Sequence, residues 1–134
     1  MPVGRTGRGL SGRRRGGSAA TMKAARQLAL AAAAAMDAKK ASDVVILDLR
    51  AHTLVADYFV IGSAETTVQL RAVTEAVEEA LAEAGAILLG REGHARARWI
   101  LLDFGPVVVH IFGPEARRLY NLERLWADSP IVER

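Results

Sequence analysis

The segment WILLDFGPVVVHIF, residues 99–112, constrains the fold more than any other part of the chain. It contains two apolar runs, WILLDF and VVVHIF, separated by Gly105 and Pro106. Short runs rich in Val, Ile and Leu on either side of such a turn are typical of a β-hairpin. Alternation along the second run places Val107, Val109 and Ile111 on one face and Val108, His110 and Phe112 on the other. Because both faces are apolar, both must be covered, either by the protein's own helices or, on one side, by a partner.

The register of this hairpin is left open by the sequence. Trp99, Leu101 and Asp103 share one face of the first strand, but a one-residue change in the turn would move all three to the opposite face. His110 is therefore either a buried histidine with internal hydrogen bonds or a contact residue. The same choice, between core and interface, stays open for Trp99.

The other segments predict an α/β (α+β) fold, with a mixed β-sheet of about five strands flanked by helices. Residues 22–41 are rich in alanine and predict a helix, whereas residues 42–49 and 57–63 are apolar and predict strands. A short strand at residues 87–89 and the loop GREG then precede the hairpin. The predicted order of elements is α-β-β-α-β-β-β-α.

Two further helices have recognisable beginnings. Thr66 and Gln69 form a capping box that begins the second helix, and Gly85 ends it. The apolar positions of this helix are Leu70, Val73, Val77, Leu81 and Ala84. Pro114 is a favoured first residue for the last helix. The apolar stripe of the last helix is Ala116, Leu119, Leu122, Leu125 and Trp126. Arg118 and Glu123 lie inside this apolar sector, where they either extend to solvent at its edges or pair with a partner.

The charge is divided unevenly along the chain. Residues 1–36 contain seven basic residues and no acidic one, which leaves eleven basic against fifteen acidic residues and a net charge of −4 for the remainder. Such a body is a poor nucleic-acid surface, so any contact with RNA is expected from the basic N-terminal tail. We divide the chain into a disordered Gly/Arg-rich tail (1–21), a folded domain (22–127) and a C-terminal tail (128–134).

The first 21 residues have three interpretations. They are an upstream translation artefact with the true start at Met22, a solvated basic tail, or an organelle presequence. The six glycines fit an amphipathic presequence poorly. We therefore expect a cytoplasmic protein, with an organelle as the alternative, and no membrane-spanning segment.

Few residues in the chain are suited to catalysis. There is no cysteine, and the three histidines lack the spacing of metal ligands. Asp48 and Asp57 are read as turn or capping residues rather than as ligands of a divalent ion. Phosphate-binding glycine motifs and a nucleophile elbow are absent from the sequence. We predict no enzyme, no cofactor and no metal site.

The motifs DYFVIGSAETTVQL, GREG, WILLDFGPVVVHIF and RRLYNLERLW occur in an order and spacing that resemble the ribosomal silencing factor family, also called the Iojap family. The resemblance covers residues 22–127. It implies a sheet related to the nucleotidyltransferase fold and no catalytic activity. It further implies docking on the large-subunit ribosomal protein numbered fourteen, where the protein blocks joining of the small subunit when nutrients are scarce. Family members are often homodimers when free, and organelle relatives act in large-subunit assembly.

The matching motifs identify five residues as expected to dock on the ribosomal protein or to hold the docking geometry. They are Trp99, Asp103, His110, Arg118 and Tyr120. The chain departs from the family pattern at Ala64 and Val68, where a glycine and an arginine are common, so no contact is carried over from that loop. Pro106 also replaces a common acidic turn residue. The alternatives are a large-subunit assembly factor and a nucleotidyltransferase-like enzyme, and the latter lacks the paired aspartates that would bind metal.

Overall fold

The computed structural model describes residues 19–94, 96, 98–121, 124 and 127–134. The predicted basic tail lies outside the described residues up to position 18. Leu122, Glu123, Leu125 and Trp126 of the predicted last helix also lie outside them. The elements are α1 (Ala19–Ala38), β1 (Ser42–Asp48), β2 (Tyr58–Ser63), α2 (Thr67–Glu83), β3 (Gly90–His94), β4 (Trp99–Asp103), β5 (Val107–Phe112) and α3 (Pro114–Tyr120).

The five strands form one mixed sheet in the order β1-β2-β5-β4-β3. β2 and β5 run parallel, and every other neighbouring pair is antiparallel. The predicted order of elements and the mixed five-stranded sheet are therefore confirmed. No helix in the described part of the chain is long and apolar enough to cross a membrane.

The main core lies between one face of the sheet and the helices α1 and α2. Alanines line the buried side of α1, which lets this helix approach the strands closely. Leu70, Val73, Val77 and Leu81 of α2 are buried, as the spacing predicted, whereas Ala84 is exposed because it is already the C-cap. On the sheet, the core side includes Ile100 and Leu102 of β4 and the predicted Val107, Val109 and Ile111 of β5.

The capping box of α2 is confirmed, with one difference. The Thr66 hydroxyl accepts a hydrogen bond from the Gln69 N–H at 3.0 Å, but the Gln69 side chain accepts from the N–H of Glu65 rather than from Thr66 itself. The Gln69 amide also donates to the carbonyl oxygens of Lys39 and Lys40 at 3.1 and 3.0 Å. Gln69 thus joins the start of α2 to the end of α1.

The strand predicted at residues 87–89 is wrong. These residues precede the strand, and β3 instead contains the GREG sequence that was predicted to be a loop. Every residue of β3 is exposed, so this edge strand lacks an apolar pattern. Gly93 permits it to pair with β4, because its φ is +77° and a Cβ there would overlap the backbone carbonyl oxygen of Trp99.

The C-terminal residues lie along the outer edge of β1. The N–H of Asp48 donates to the carbonyl of Pro130 at 2.8 Å, and the N–H of Val132 donates to the carbonyl of Ile46 at 2.9 Å. Val132 is buried in the main core. Arg134 forms an ion pair with Asp37 of α1. These residues therefore close an edge that would otherwise present unpaired backbone groups.

Candidate functional site

The hairpin register places three of the five predicted site residues on the same face of the sheet. Trp99 is opposite Phe112, Leu101 is opposite His110, and Asp103 is opposite Val108. This face is turned away from α1 and α2. The register that the sequence left open is therefore the one that brings together Trp99, Asp103 and His110.

On this side of the sheet, β3 contributes Gly90, Glu92 and His94 at one edge, opposite Asp103, Leu101 and Trp99. The residues that the other four strands contribute to this side form what we call the second face. They are Val45, Leu47, Phe59, Ile61, Trp99, Leu101, Asp103, Val108, His110 and Phe112. Leu47, Ile61 and Phe112 are buried in a small cluster with Leu49, and Ala116 of α3 packs against that cluster. Val45, Phe59, Trp99 and Leu101 remain partly exposed. The second face is therefore apolar but only partly covered in the described part of the chain.

Trp99 lies between core and surface. Its indole packs against the small cluster, yet the side chain is only half-buried. It begins β4 directly after Arg98, whose φ of +62° is left-handed. The N–H of Gly113 donates to the carbonyl of Arg98 at 2.8 Å, so the start of β4 is fastened to the end of β5. This fixed backbone holds the tryptophan at the margin of the second face.

His110 is buried beneath the second face, with 6% of its surface exposed. Its ring makes an edge contact with Phe59 (centroids 4.7 Å apart) and stacks on Phe112 (5.9 Å). Neither ring nitrogen has a hydrogen-bond partner among the described residues. Burial lowers the pKa of His110 to about 4, so the ring is neutral at physiological pH. The sequence left open whether His110 is a buried histidine or a contact residue. The ring is buried, but among the described residues it lacks the internal hydrogen bonds that were expected of a buried histidine.

Asp103 shapes the hairpin turn. Its carboxylate accepts a hydrogen bond from the N–H of Gly105 at 2.8 Å, and Gly105 has a φ of +88°. An aspartate that accepts from the backbone two residues later stabilises a turn of this kind. The side chain is half-buried, so Asp103 both fixes the turn and lies at the rim of the second face.

The helix α3 is shorter than the sequence predicted, because it ends at Tyr120 and Asn121 adopts a left-handed conformation with φ of +44°. Ala116 packs on the small cluster, but Leu119, a member of the predicted apolar stripe, is 81% exposed. Arg118 is also exposed. The Tyr120 side chain lies outside the described residues. Leu119 and Arg118 of α3 therefore present their side chains to solvent.

Sequence reasoning missed the contribution of β1 and β2 to this surface. Val45 and Phe59 are partly exposed beside the hairpin residues because β2 pairs with β5 in parallel. Alternation within DYFVIGS does put Phe59 and Ile61 on one side of their strand. The pairing partner of that strand, however, depends on contacts between residues far apart in the sequence.

The second face is better suited to binding a macromolecule than to catalysis. It offers partly exposed apolar side chains with a few polar groups at its rim, which is the composition of protein interfaces. Of the candidate metal ligands, Asp48 is held by Arg50, whose guanidinium lies 2.7 Å from its carboxylate. That hydrogen bond lowers the pKa of Asp48. Within the described ranges, no group of three or more histidines and carboxylates is placed to bind a metal ion.

Known proteins resemble this chain in sequence and fold. The family model described as "Ribosomal silencing factor during starvation" matches residues 22–134. The chain is 42% identical over 102 residues to the ribosomal silencing factor RsfS of Bacillus subtilis, covering 76% of this chain and 86% of that protein. It is 32% identical over 91 residues to "Mitochondrial assembly of ribosomal large subunit protein 1" of Mus musculus, covering 66% and 40% respectively. A crystal structure of a Bacillus halodurans protein has a TM-score of 0.71 and 38% identity, over 81% of this chain and 99% of that one.

Proposed function

Since this chain belongs to the ribosomal silencing factor family, we propose that it docks on the large ribosomal subunit and prevents the small subunit from joining. The proposed contact is the large-subunit ribosomal protein numbered fourteen, at the face where the subunits meet. Repression is steric in this mechanism: the bound protein occupies space that the small subunit needs. No chemical step is required.

The observation that carries this proposal is the partly covered apolar second face. Val45, Phe59, Trp99 and Leu101 are partly exposed there, and the first three pack against a buried cluster. Tryptophan is enriched among the anchor residues of protein interfaces. The net charge of −4 on residues 37–134 favours a basic partner, and ribosomal proteins are commonly basic.

The five predicted residues have different parts in this proposal. Trp99 is the anchor, and Asp103 holds the hairpin turn at the rim of the contact. His110 lies beneath the surface and supports the ring of Phe59. Arg118 is exposed on α3 and supplies a charged contact, together with Tyr120 at the end of that helix.

Co-sedimentation with separated ribosomal subunits tests the proposal. The purified protein should pellet with large subunits alone and should reduce the joined particles that form after small subunits are added. Trp99→Ala should weaken binding by about 2 kcal/mol or more, because it removes a large aromatic contact. Leu54→Ala, which truncates a fully exposed leucine in the loop between β1 and β2, is the control and should bind normally.

Two outcomes would contradict this assignment. Failure of the wild-type protein to pellet with large subunits would refute docking itself. If Trp99→Ala unfolds the domain, Trp99 is a core residue, and Leu101→Glu then tests the second face in its place. Normal binding by a folded Leu101→Glu variant would exclude the second face as the contact.

A second candidate function is assembly of the large subunit. The name of the mouse relative supports it, and both functions would use the same surface. Deletion of the gene distinguishes them. Precursor particles that accumulate in rich medium would favour assembly, whereas normal subunits with poor survival of starvation would favour silencing.

We also propose that the free protein is a homodimer that covers its second face with a second copy. An apolar surface of this kind favours self-association when its partner is absent. Sedimentation velocity should then detect a dimer, and Trp99→Ala should shift it toward the monomer. A wild-type monomer at high protein concentration would refute the dimer without affecting the docking proposal.

A further inference from the structure

A crevice lies at one end of the sheet, where the two parallel strands finish. β2 and β5 are parallel neighbours, and their last residues, Ser63 and Phe112, are paired. After β2 the chain enters α2, which packs on the core face, whereas after β5 it enters α3, which packs on the second face. Open sheets commonly bind ligands at such a point, where neighbouring parallel strands send their connections to opposite faces.

The crevice is large enough for a small metabolite. The crevice is open to solvent and has a volume of about 540 Å³, within the range of about 300–1,000 Å³ that is usual for small-molecule sites. Its wall combines basic, acidic and apolar side chains from β1, β2, α3 and their connections. Those that matter here are Asp43, Ser63, Glu65, Pro114, Arg117 and Arg118.

α3 supplies the basic side chains of the crevice. Arg117 is half-buried, and its Nη1 donates to the Oγ of Ser63 at 2.9 Å. This hydrogen bond holds the guanidinium against the end of β2. Arg118 lines the same crevice and is exposed. Two arginines that line one crevice, one of them with its guanidinium held in position, suit a phosphate group because they can donate several hydrogen bonds to its oxygens.

The acidic side chains of the crevice come from β1 and from the segment after β2. Asp43 lies at the irregularity near the start of β1, with a left-handed φ of +52°, and Glu65 follows the end of β2. Both carboxylates line the crevice and are exposed. They would repel a ligand that is only anionic, but they can accept hydrogen bonds from hydroxyl groups. The ligand that fits therefore combines an anionic group with hydroxyl donors.

We propose that this crevice binds a nucleoside 5′-phosphate, with its phosphate on Arg117 and Arg118 and its sugar hydroxyls on Asp43 and Glu65. The ring of Pro114 offers an apolar surface to the base. Carboxylates commonly hold ribose hydroxyls in nucleotide sites of open sheets. This binding is a property of the free protein and does not depend on the ribosome.

Calorimetric titration of the full chain with adenosine 5′-monophosphate tests the inference, with inorganic phosphate and adenosine as separate probes. We expect saturable binding of the nucleotide at one site, and weaker binding of each fragment. Arg118→Ala should weaken nucleotide binding at least tenfold. Glu65→Gln should weaken nucleotide binding while leaving phosphate binding unchanged. Arg71→Ala, which removes an exposed arginine of α2 outside the crevice, is the control and should bind the nucleotide like the wild type.

Three results would overturn the inference. One is the absence of nucleotide binding at millimolar concentration. Another is equal binding of phosphate and nucleotide, which would mean that the sugar is not recognised. The third is unchanged nucleotide binding by both Arg118→Ala and Glu65→Gln. Since no ribosome is present, failure here leaves the docking proposal intact, and failure of co-sedimentation leaves this inference intact.

Discussion

Replacing His110 by phenylalanine should make the protein more stable. The imidazole is buried between Phe59 and Phe112, and both of its nitrogens lack hydrogen-bond partners among the described residues. A buried polar group without a partner costs about 1–3 kcal/mol relative to its hydrated state. Phenylalanine keeps a flat ring in the same position and removes both polar atoms. The expected gain in the free energy of unfolding at pH 7 is therefore about 1–2 kcal/mol, since the larger ring offsets part of the benefit.

The same substitution should also change how stability depends on pH. The pKa of His110 falls from its ordinary 6.5 to about 4 because burial disfavours the charged ring. The unfolded chain thus takes up a proton as the pH falls below about 6.5, whereas the folded protein does so only near pH 4. The stability associated with the neutral ring is complete above about pH 6.5 and is lost as the pH falls toward 4. At about 1.4 kcal/mol per pKa unit, this loss amounts to about 3 kcal/mol, which His110→Phe should abolish.

Urea unfolding of both proteins between pH 7 and about pH 4.5 measures both effects, and the difference between the two proteins removes the common contribution of the carboxylates. His110→Leu provides a smaller apolar replacement, and His52→Phe at an exposed position should leave stability at pH 7 unchanged. If both apolar variants of His110 are less stable than the wild type at pH 7, the ring makes a polar contact that stabilises the protein by more than the burial of its nitrogens costs, and the predicted gain is refuted. A difference in stability that stays constant as the pH falls would refute the predicted pH dependence.

Two further substitutions test how the elements are held. Thr66→Ala should lower the free energy of unfolding by about 1 kcal/mol, since it removes the hydroxyl that accepts a hydrogen bond from the Gln69 N–H. Thr67→Ala, one residue later, is the matched control in the same urea experiment and should lower the free energy of unfolding by less. Gly93→Ala should destabilise the protein by about 1–3 kcal/mol and should change the fluorescence of Trp99, because a methyl group at a φ of +77° would overlap the Trp99 carbonyl. A Gly93→Ala variant with wild-type stability would mean that the edge strand does not need this backbone conformation.

Elements with a strong local signal were predictable from the sequence. The alternation of VVVHIF gave the two faces of β5 correctly, and the spacing of Leu70, Val73, Val77 and Leu81 gave the buried side of α2. In each case, burial on one side imposes a period that the sequence must display. Gly85 likewise marked the end of α2, where the chain takes a φ of +90°.

Elements without such a period were not predictable. β3 is an exposed edge strand, and its pairing with β4 depends on Gly93 fitting against Trp99. The glycines of β3, taken alone, favour a turn rather than a strand. The early end of α3 depends on Asn121 adopting a left-handed conformation in the middle of a helical pattern. The candidate site was likewise predictable only in part. Alternation grouped Trp99 with Asp103, but only the register joined them to His110 and added Phe59 from a strand some forty residues earlier.

The position of the C-terminal residues has a consequence for synthesis. The edge of β1 is closed by Pro130 and Val132, so strand residues made early in translation are paired with residues made much later. Until Val132 has been synthesised and has left the ribosome's exit tunnel, this edge stays open and the main core lacks one of its members. Folding of the sheet can therefore finish only after residues 130–132 have emerged. A nascent chain therefore has an incomplete sheet for as long as residues 130–132 remain inside the exit tunnel of the ribosome.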